Sequence, residues 1–410
     1  MHMSREKINR KSIKRKWGRK MNILILEWDS FAHEYVMEEF IKAGCGVDKC
    51  SWPYGIENMR DNEKLFQKLS KILKEKEYAF VFSFDFFPVA AKACNQCGIK
   101  YAAWIYDSPY MLLYSKYTML DTNYIFFFDT SLFYEFRQHG VKHAYYLPMA
   151  APVDYYDRMK ASEDGEKYRA DISFVGSTYH EEGQDFFRHF AGVDDYTAGY
   201  LTAIMNMQEE LYGNFILEEL LNDNILMELR RVCPIQKEED EWEPDGWIYA
   251  NYFLARKLTG NQRIGQLELL GEKHTVKLYA PKQNRELKNI VNYGPVDYMT
   301  EMPLIFQNSK INLNMTLRSI HTGIPLRAMD IMGCGGFLLT NYQQDFLDYF
   351  EPGVDFVYYS SRKELSDLTD YYLQHDEERM EIARNGYHKM KSEHTYRNRV
   401  ETLLAYMKEP

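Results

Sequence analysis

Residues 310–341 read KINLNMTLRSIHTGIPLRAMDIMGCGGFLLTN, and this stretch predicts the class of fold. It begins with an apolar strand, passes through a polar loop into a helix that starts near Pro325, and ends with a glycine-rich turn and a second apolar strand. A proline suits the first turn of a helix, and glycines commonly terminate one. A strand, a helix and a strand at this spacing form a βαβ unit, which places the two strands side by side in a parallel sheet.

Short apolar runs separated by helical spacing also occupy the N-terminal part of the chain. They are NILILE (22–27), YAFVFS (78–83), KYAAWIY (100–106), NYIFFFD (123–129) and AYYLP (144–148). Continuous apolar runs of this length are typical of strands that are buried on both faces of a parallel sheet. Residues 21–150 are therefore predicted to form one doubly wound, Rossmann-like domain.

The same pattern resumes after a predicted linker at 151–170. Its strands are DISFVGS (171–177), TVKLY (275–279), NIVNYG (289–294), KINLNMT (310–316), GFLLT (336–340) and VDFVYY (354–359). A second α/β domain is predicted over 171–390, with a helical insertion at about 179–262. The C-terminal segment 391–410 is a predicted helix and a candidate to pack back on the first domain. Two similar domains of this kind face each other across a cleft.

The charge of the chain is unevenly distributed. The whole sequence carries −10, but residues 1–20 hold nine Lys or Arg and one Glu, so the remainder carries −18. An acidic body disfavours nucleic acid as a partner, since that partner requires a basic face. The basic segment 1–20 is predicted to be a disordered tail, with contact to a membrane surface or polyanion as the alternative. The acidic run 238–243 is interpreted as a solvated loop.

No apolar run reaches the roughly 20 residues that a transmembrane helix needs. Residues 1–20 have a basic stretch without an apolar run after it, so they are not expected to be an export signal. The six cysteines are scattered, which favours reduced thiols and a cytoplasmic protein. Cys94 and Cys97 form one CxxC pair, but no second pair of ligands stands nearby. We therefore interpret that pair as the end of a packed helix and predict no metal site.

The loop before the helix at Pro325 is a candidate anion site. Free backbone N–H groups and the helix dipole at His321, Thr322 and Gly323 favour a diphosphate. Arg318 and Arg327 flank the loop, and two guanidinium groups can grip phosphate oxygens.

Asp330 follows Arg327 by one helical turn, so its carboxylate is a candidate acceptor for the ribose hydroxyls. The alternative is that Arg327 and Asp330 simply pair with each other. Gly176 and Ser177 end the first strand of the second domain, where α/β sheets bind ligands. The alternative for these two residues is an ordinary turn.

The C-terminal half, most visibly INLNMTLRSIHTGIPLRAMDIMGCGGFLLTN, resembles the glycosyltransferase domain of CgeB-like, spore-maturation-type proteins. The matching pieces of that domain are FVGS (174–177) and EERMEIA (377–383). The pieces FSFDFFP (82–88), WIYDSPY (104–110), IFFFD (125–129) and YLPMA (146–150) resemble the N-terminal domain that is often fused to it. The resemblance implies a GT-B fold, in which two Rossmann-like domains face a cleft.

The resemblance also implies a function: the C-terminal domain binds a nucleoside-diphosphate sugar and the N-terminal domain binds an unidentified acceptor. Because a helix dipole and Arg residues can offset the diphosphate charge, no obligatory protein-bound metal and no cofactor are expected. In related retaining enzymes two Glu residues contact the sugar and the ribose. Asp330 matches the second of these in place and chemistry. The first falls at Thr322, which is not acidic, so the usual contact to the donor sugar is altered here.

Acidic residues after three N-terminal strands are the candidate catalytic groups. Asp107 is the first choice as the general base for an acceptor hydroxyl, and Asp29, Asp85 and His33 are the others. The alternative for Asp107 is a cap of the following turn.

Two other functions remain open from the sequence. One is a non-catalytic GT-B assembly or spore-coat protein, which the replacement of an acid by Thr322 motivates. The other is a nucleotide-sugar epimerase, which uses a similar cleft and needs no acceptor.

Overall fold

The computed structural model describes residues 21–30, 32–53, 59–159, 163–181, 183–281, 287 and 290–408. The predicted disordered tail at 1–20 lies outside this part of the chain. Twelve strands in the described ranges form two parallel sheets of six strands each, and helices cover both sheets. The predicted α/β fold with two Rossmann-like domains is confirmed.

The first sheet has the strand order β2-β1-β3-β4-β5-β6, and all of its pairs are parallel. Its strands are β1 Asn22–Glu27, β2 Gly46–Ser51, β3 Phe80–Phe84, β4 Lys100–Trp104, β5 Asn123–Phe127 and β6 Ala144–Tyr146. Strands β3 and β5 are buried along their whole length, as their continuous apolar sequences predict.

Strand β2 is absent from the sequence prediction because its sequence, GVDKCS, is mostly polar. It lies at the edge of the sheet, where only one neighbour, β1, pairs with it. Edge strands tolerate charged side chains, and here Lys76 and Tyr78 contact the carboxylate of Asp48. Hydrophobic patterning alone does not detect such a strand.

Helices cover both faces of the first sheet. They are α1 His33–Lys42, α2 Glu63–Glu75, α3 Pro88–Cys97 and α4 Thr130–Gln138. Helices α2, α3 and α4 bury their apolar residues on one face, while α1 packs on the other. Helix α3 ends at Gly98, whose left-handed φ of 65° lets the chain turn, so the Cys94–Cys97 pair does lie at the end of a packed helix.

The second sheet has the order β12-β11-β10-β7-β8-β9, again with parallel pairs. Its strands are β7 Ala170–Val175, β8 Val276–Tyr279, β9 Ile290–Asn292, β10 Ser309–Asn314, β11 Leu338–Asn341 and β12 Val357–Tyr359. The helices of the C-terminal part are α5 Val153–Met159, α6 Asp195–Glu210, α7 Asp223–Val232, α8 Asp245–Ile248, α9 Ala255–Gly271, α10 Met302–Asn308, α11 Leu326–Gly333, α12 Phe346–Tyr349, α13 Arg362–Gln374, α14 Asp376–Glu393 and α15 Tyr396–Met407. Helix α5 thus lies within the segment predicted as a linker.

The chain crosses between the domains twice, once before α5 and once between α14 and α15. Helix α15 lies beside α1 on the first sheet, where Val400, Leu403 and Leu404 are buried in the core of the N-terminal domain. The buried Arg399 fixes this position, because its guanidinium donates to the carbonyl oxygens of Pro148 and Met149 at 2.7 and 3.0 Å.

The insertion between β7 and β8 has its own core of α6, α7 and residues 249–258. The end of its acidic run is not a solvated loop, which corrects the sequence interpretation. Arg60 of the N-terminal domain pairs with Asp240 at 3.3 Å and with Glu241 at 2.8 Å, and all three side chains are at most 10% exposed. The backbone N–H of Trp242 also donates to the carbonyl of Tyr114 at 3.2 Å. The insertion is therefore attached to both domains.

None of the described helices combines the length and the apolar character that crossing a bilayer requires.

Candidate functional site

The two sheets point their carboxyl ends at each other, and loops from these ends form the contact between the domains. Ser108, after β4, donates its hydroxyl to the carbonyl of Ser319, after β10, at 2.9 Å. Ser319 returns a hydroxyl hydrogen bond to the carbonyl of Ser108 at 3.3 Å. Beside this contact lies a cavity of 630 Å³, walled by loops of both domains and by the insertion. Carboxyl ends of parallel strands are the usual position for ligands in such sheets.

The N-terminal wall of the cavity contains Asp107, the first-choice catalytic residue. Its side chain is exposed. The backbone N–H groups of Tyr106 and Asp107 both donate to Asp85 Oδ1, at 2.9 and 3.1 Å. These bonds hold the turn after β4 and direct Asp107 to the cavity.

Asp85 is fully buried and adopts a left-handed backbone conformation, with φ of 55°. Its Oδ2 has no hydrogen-bond partner among the described residues. Burial, and then the neighbouring charge of Asp107, raise the pKa of Asp85 well above its usual range. Asp85 therefore positions Asp107 and does not line the cavity.

The two other catalytic candidates do not line the cavity either. His33 is 4% exposed, and its ring nitrogens lie 3.2 Å from the carbonyl of Ser30 and 3.1 Å from that of Leu26. Burial lowers the pKa of His33, which favours the neutral ring. Asp29 is exposed on the loop after β1. Of the four predicted catalytic residues, Asp107 alone is among those that line this cavity.

The loop after β7 forms part of the opposite wall. Gly176 donates its N–H to the carbonyl of Tyr279 at 3.0 Å, and Ser177 follows it into the cavity. The Ser177 hydroxyl donates to the buried Glu181 at 2.8 Å and accepts from the N–H of Tyr179 at 2.9 Å. The loop is thus a tight turn whose residues also border the cavity, so both interpretations of the Gly-Ser pair fit it.

Two arginines of α9, which the sequence prediction missed, complete this wall. Arg263 is buried and braces two loops, donating to the carbonyl of Ser177 at 2.6 Å and to that of Met315 at 3.0 Å. Arg256 lines the cavity itself. The signal in the sequence was their seven-residue separation, which places both on one face of a helix.

Arg256 is the cation of the cavity without an acidic partner among the described residues. Its Nη1 donates to Gln184 Oε1 at 2.6 Å, and its guanidinium lies 4.6 Å from the ring centre of Phe186 and 5.2 Å from that of Tyr179. Its buried Nε has no hydrogen-bond partner among the described residues. A guanidinium with a buried, unsatisfied Nε and no carboxylate partner among the described residues is suited to an anionic ligand.

The loop before α11 has a different environment from the predicted one. The N–H groups of His321 and Thr322 are not free, because both donate to Asp129 Oδ2 of the N-terminal domain, at 2.9 and 3.3 Å. The Thr322 hydroxyl donates to Asp129 Oδ1 at 2.7 Å. At Gly323 an added Cβ would lie 2.9 Å from Asp129 Cβ, so this approach requires glycine. The loop does bind an anion, but that anion is a carboxylate of the same chain.

The side chains around this loop are also engaged within the protein. Arg318 donates to Gln262 Oε1 at 2.8 Å and to the carbonyl oxygens of Glu209 and Leu211, at 3.1 and 2.9 Å. The His321 ring stacks on Phe215 and its Nε2 lies 3.1 Å from Asn251 Oδ1. Arg318 thus anchors the insertion, and in this arrangement it does not contribute to a phosphate clamp.

Asp330 is fully buried in α11. Its carboxylate accepts hydrogen bonds from the hydroxyls of Tyr156 and Tyr298, each at 2.9 Å, and Arg327 Nη1 lies 3.6 Å from it. Burial raises the pKa of Asp330 to about 6. The pairing of Arg327 with Asp330 that the sequence left open is therefore present. Binding of a ribose by Asp330 would require the two tyrosines to move.

Comparison with known proteins agrees with this architecture. Residues 253–405 match a protein family described as glycosyl transferase-like, and no curated protein matches the chain. Sucrose-phosphate synthase of Thermosynechococcus elongatus has a TM-score of 0.53 at 9% identity, covering 94% of this chain and 98% of that chain. The UDP-forming trehalose-phosphate synthase of Burkholderia xenovorans has a TM-score of 0.52 at 12% identity, covering 95% and 99%.

A third solved structure, that of HepE from Anabaena in complex with UDP-glucose, has a TM-score of 0.51 at 10% identity, covering 94% of this chain and 98% of that chain. Identities this low show the fold alone. The chain therefore has the GT-B fold, and its C-terminal residues 253–405 match a glycosyl transferase-like family.

Proposed function

We propose that this protein is a CgeB-like glycosyltransferase that moves a sugar from a nucleoside-diphosphate sugar to a hydroxyl acceptor in the interdomain cavity. One observation carries the proposal: the cavity has an exposed carboxylate, Asp107, on its N-terminal wall and a guanidinium without an ion pair, Arg256, on its C-terminal wall. A carboxylate can accept the proton of the acceptor hydroxyl, and a guanidinium can bind the diphosphate of the donor.

Arg256 is the proposed binding residue for the diphosphate of the donor. Its positive charge offsets charge that develops on the departing nucleoside diphosphate, without an obligatory metal ion or another cofactor. The loop at Gly176 and Ser177 borders the same wall and allows the backbone to approach the ligand. The solved HepE structure holds UDP-glucose on a similar fold, which supports a nucleotide sugar as the donor.

Asp107 is the proposed general base in a transfer with inversion. It takes the proton of the acceptor hydroxyl, the hydroxyl oxygen forms a bond to the anomeric carbon, and the bond from that carbon to the diphosphate oxygen breaks. The products are a glycosylated acceptor, a protonated Asp107 and a nucleoside diphosphate bound by Arg256. The scattered, unpaired cysteines are consistent with a reducing, cytoplasmic site of action.

The test is binding of UDP-glucose and other nucleotide sugars to the wild-type chain and to Arg256→Ala, by calorimetry. A hydrogen bond between charged groups contributes roughly 1.5–3 kcal/mol, so we expect at least about tenfold weaker binding. Lys257→Ala is the matched control, because this neighbouring cation of α9 lies against Phe187 and not in the cavity.

Equal affinity of wild type and Arg256→Ala for every nucleotide sugar would refute this donor site. Product analysis separates the other functions. Transfer to an acceptor or to water supports the transferase, an isomerised free donor identifies an epimerase, and binding without turnover identifies a non-catalytic protein.

A further inference from the structure

A second and larger cavity, of 1010 Å³, lies outside the interdomain contact. It is a groove between α1 and α15, closed at one end by α5. Tyr35 near the start of α1 stacks on Tyr396 at the start of α15, with ring centres 5.5 Å apart. Cys45 and Lys408, which follow the two helices, border its other end. The helices run side by side in one direction, so the groove follows them for roughly 15 Å.

Aromatic rings form the α5 end of the groove. The Tyr155 ring lies 5.9 Å from that of Tyr35, and the guanidinium of Arg158 lies 5.7 Å from the Tyr155 ring centre. Tyr35 and Tyr155 are half-buried, so part of each ring borders the groove. Arg158 is exposed and forms no ion pair with a described residue. This end offers ring faces beside a cation.

Both signs of charge alternate along the rest of the groove. Lys42 pairs with Glu38 and Glu39, and Arg397 pairs with Glu401. The described lining carries five cationic side chains (Lys42, Arg158, Lys391, Arg397 and Lys408) and four acidic ones (Glu38, Glu39, Asp154 and Glu401), so its charge is nearly balanced and does not select a polyanion such as nucleic acid. The frequent charges also interrupt any apolar stripe that a lipid chain would need. Ring faces combined with many hydrogen-bond donors and acceptors fit a neutral, hydroxyl-rich ligand.

We propose that this groove, formed by α1, α5 and α15, binds a neutral glycan chain of several sugar units. Its volume lies at the upper end of the usual range of about 300–1,000 Å³ for small-molecule pockets, so a single sugar would not fill it. The glycan is the acceptor class of the proposed transferase. That role depends on the proposed function, whereas binding in the groove does not.

The position of the groove fits a docking site beside the reaction site. The hydroxyl of Tyr396, at the floor of the groove, lies 3.2 Å from that of Tyr106, which directly precedes Asp107. The groove is thus linked by one hydrogen bond to the residue that precedes the proposed base. A chain held in the groove is kept close to the catalytic cavity without occupying it, which raises its effective concentration there.

The test is retention of the full chain on immobilised linear hexasaccharides of glucose, galactose and N-acetylglucosamine. We expect retention on at least one of them, and about tenfold weaker binding for Tyr155→Ala, since the ring face is lost. Tyr155→Phe keeps the ring and should retain binding. Arg158→Ala should also weaken glycan binding. Because Arg158 is exposed and forms no ion pair with a described residue, this variant tests the groove independently of any misfolding of the tyrosine variants.

Tyr371→Ala is the matched control, because Tyr371 is an exposed tyrosine of α13 away from the groove. Binding to vesicles of anionic phospholipid is measured in parallel. The proposal is overturned if no hexasaccharide is retained, or if Tyr155→Ala and Arg158→Ala bind as the wild type does. Binding to the vesicles alone would overturn it as well. Arg256→Ala should leave glycan retention unchanged, and Arg158→Ala should leave UDP-glucose binding unchanged. A failure of the donor site is therefore distinguishable from a failure of the groove.

Discussion

In the proposed transferase, Asp107 is the reacting group and Asp85 positions it through the turn after β4. Burial, and then the neighbouring charge of Asp107, raise the pKa of Asp85 above its usual range, while its Oδ1 accepts the two N–H groups of the turn after β4. The raised pKa disfavours a second negative charge beside Asp107. The exposed Asp107 is the proposed general base.

Asp107→Asn therefore separates catalysis from binding. We expect the rate of nucleoside diphosphate release from a bound nucleotide sugar to fall by about 10²–10⁴, the usual contribution of a general base, with little change in donor affinity. Asp29→Asn is the control, because this exposed acid also follows a strand of the N-terminal sheet but does not line the cavity. Loss of turnover in Asp29→Asn with normal turnover in Asp107→Asn would reverse the assignment.

At the scale of elements, the insertion is attached to the N-terminal domain by a buried ion-pair cluster. Arg60→Ala leaves the carboxylates of Asp240 and Glu241 without their cation in an environment where they are at most 10% exposed. Breaking one side of a buried pair costs about 3–5 kcal/mol, so the urea midpoint should fall. Lys363→Ala removes an exposed pair with Asp367 and should change the midpoint little.

A triple variant, Arg60→Met with Asp240→Asn and Glu241→Gln, checks the cause of this loss. It removes the uncompensated charges and should recover much of the stability. If Arg60→Ala unfolds at the same urea concentration as the wild type, the cluster does not hold the insertion in place.

Elements that are buried on both sides could be predicted from the sequence, and elements decided by distant partners could not. The apolar runs of β3 and β5 signal their strands directly, and Pro325 marks the start of α11. The edge strand β2 carries no such run. The sequence of the acidic run alone fits a solvated loop. Its partner Arg60 lies about 180 residues earlier in the chain, so only the tertiary structure shows that they pair.

The same limit applies to the site. Asp107 could be selected from the sequence as a candidate site residue, because ligands bind at the carboxyl ends of parallel strands whatever the rest of the fold. The local sequence predicts free N–H groups at His321 and Thr322. They are bonded because the packing of the two domains brings Asp129 to them. Arg256 lies in a helix assigned to the insertion, and its exposure to the cavity depends on the tertiary structure.

At the scale of the whole molecule, carboxylates of both domains close the contact between them. Asp129 accepts from the loop before α11, and Asp345 of the C-terminal domain accepts from the N–H of Thr130 at 3.0 Å. Tyr146 and Tyr349 also face Asp345. A ligand reaches the N–H groups of His321 and Thr322 only when this contact opens.

The contact should respond to pH through Asp345. Burial, and then the nearby charge of Asp129, raise the pKa of Asp345 to about 7, above its usual 3.8. An acid with a raised pKa stabilises the closed arrangement at low pH, and this contribution declines as the pH rises from about 4 to about 7. We therefore expect the distance between fluorophores on the two domains to increase between pH 5.5 and pH 8. Asp345→Asn, which cannot ionise, should abolish the change. Asp348→Asn changes an exposed acid of α12, the helix that Asp345 directly precedes, and should preserve it. A pH response that persists unchanged in Asp345→Asn would show that another group controls the contact.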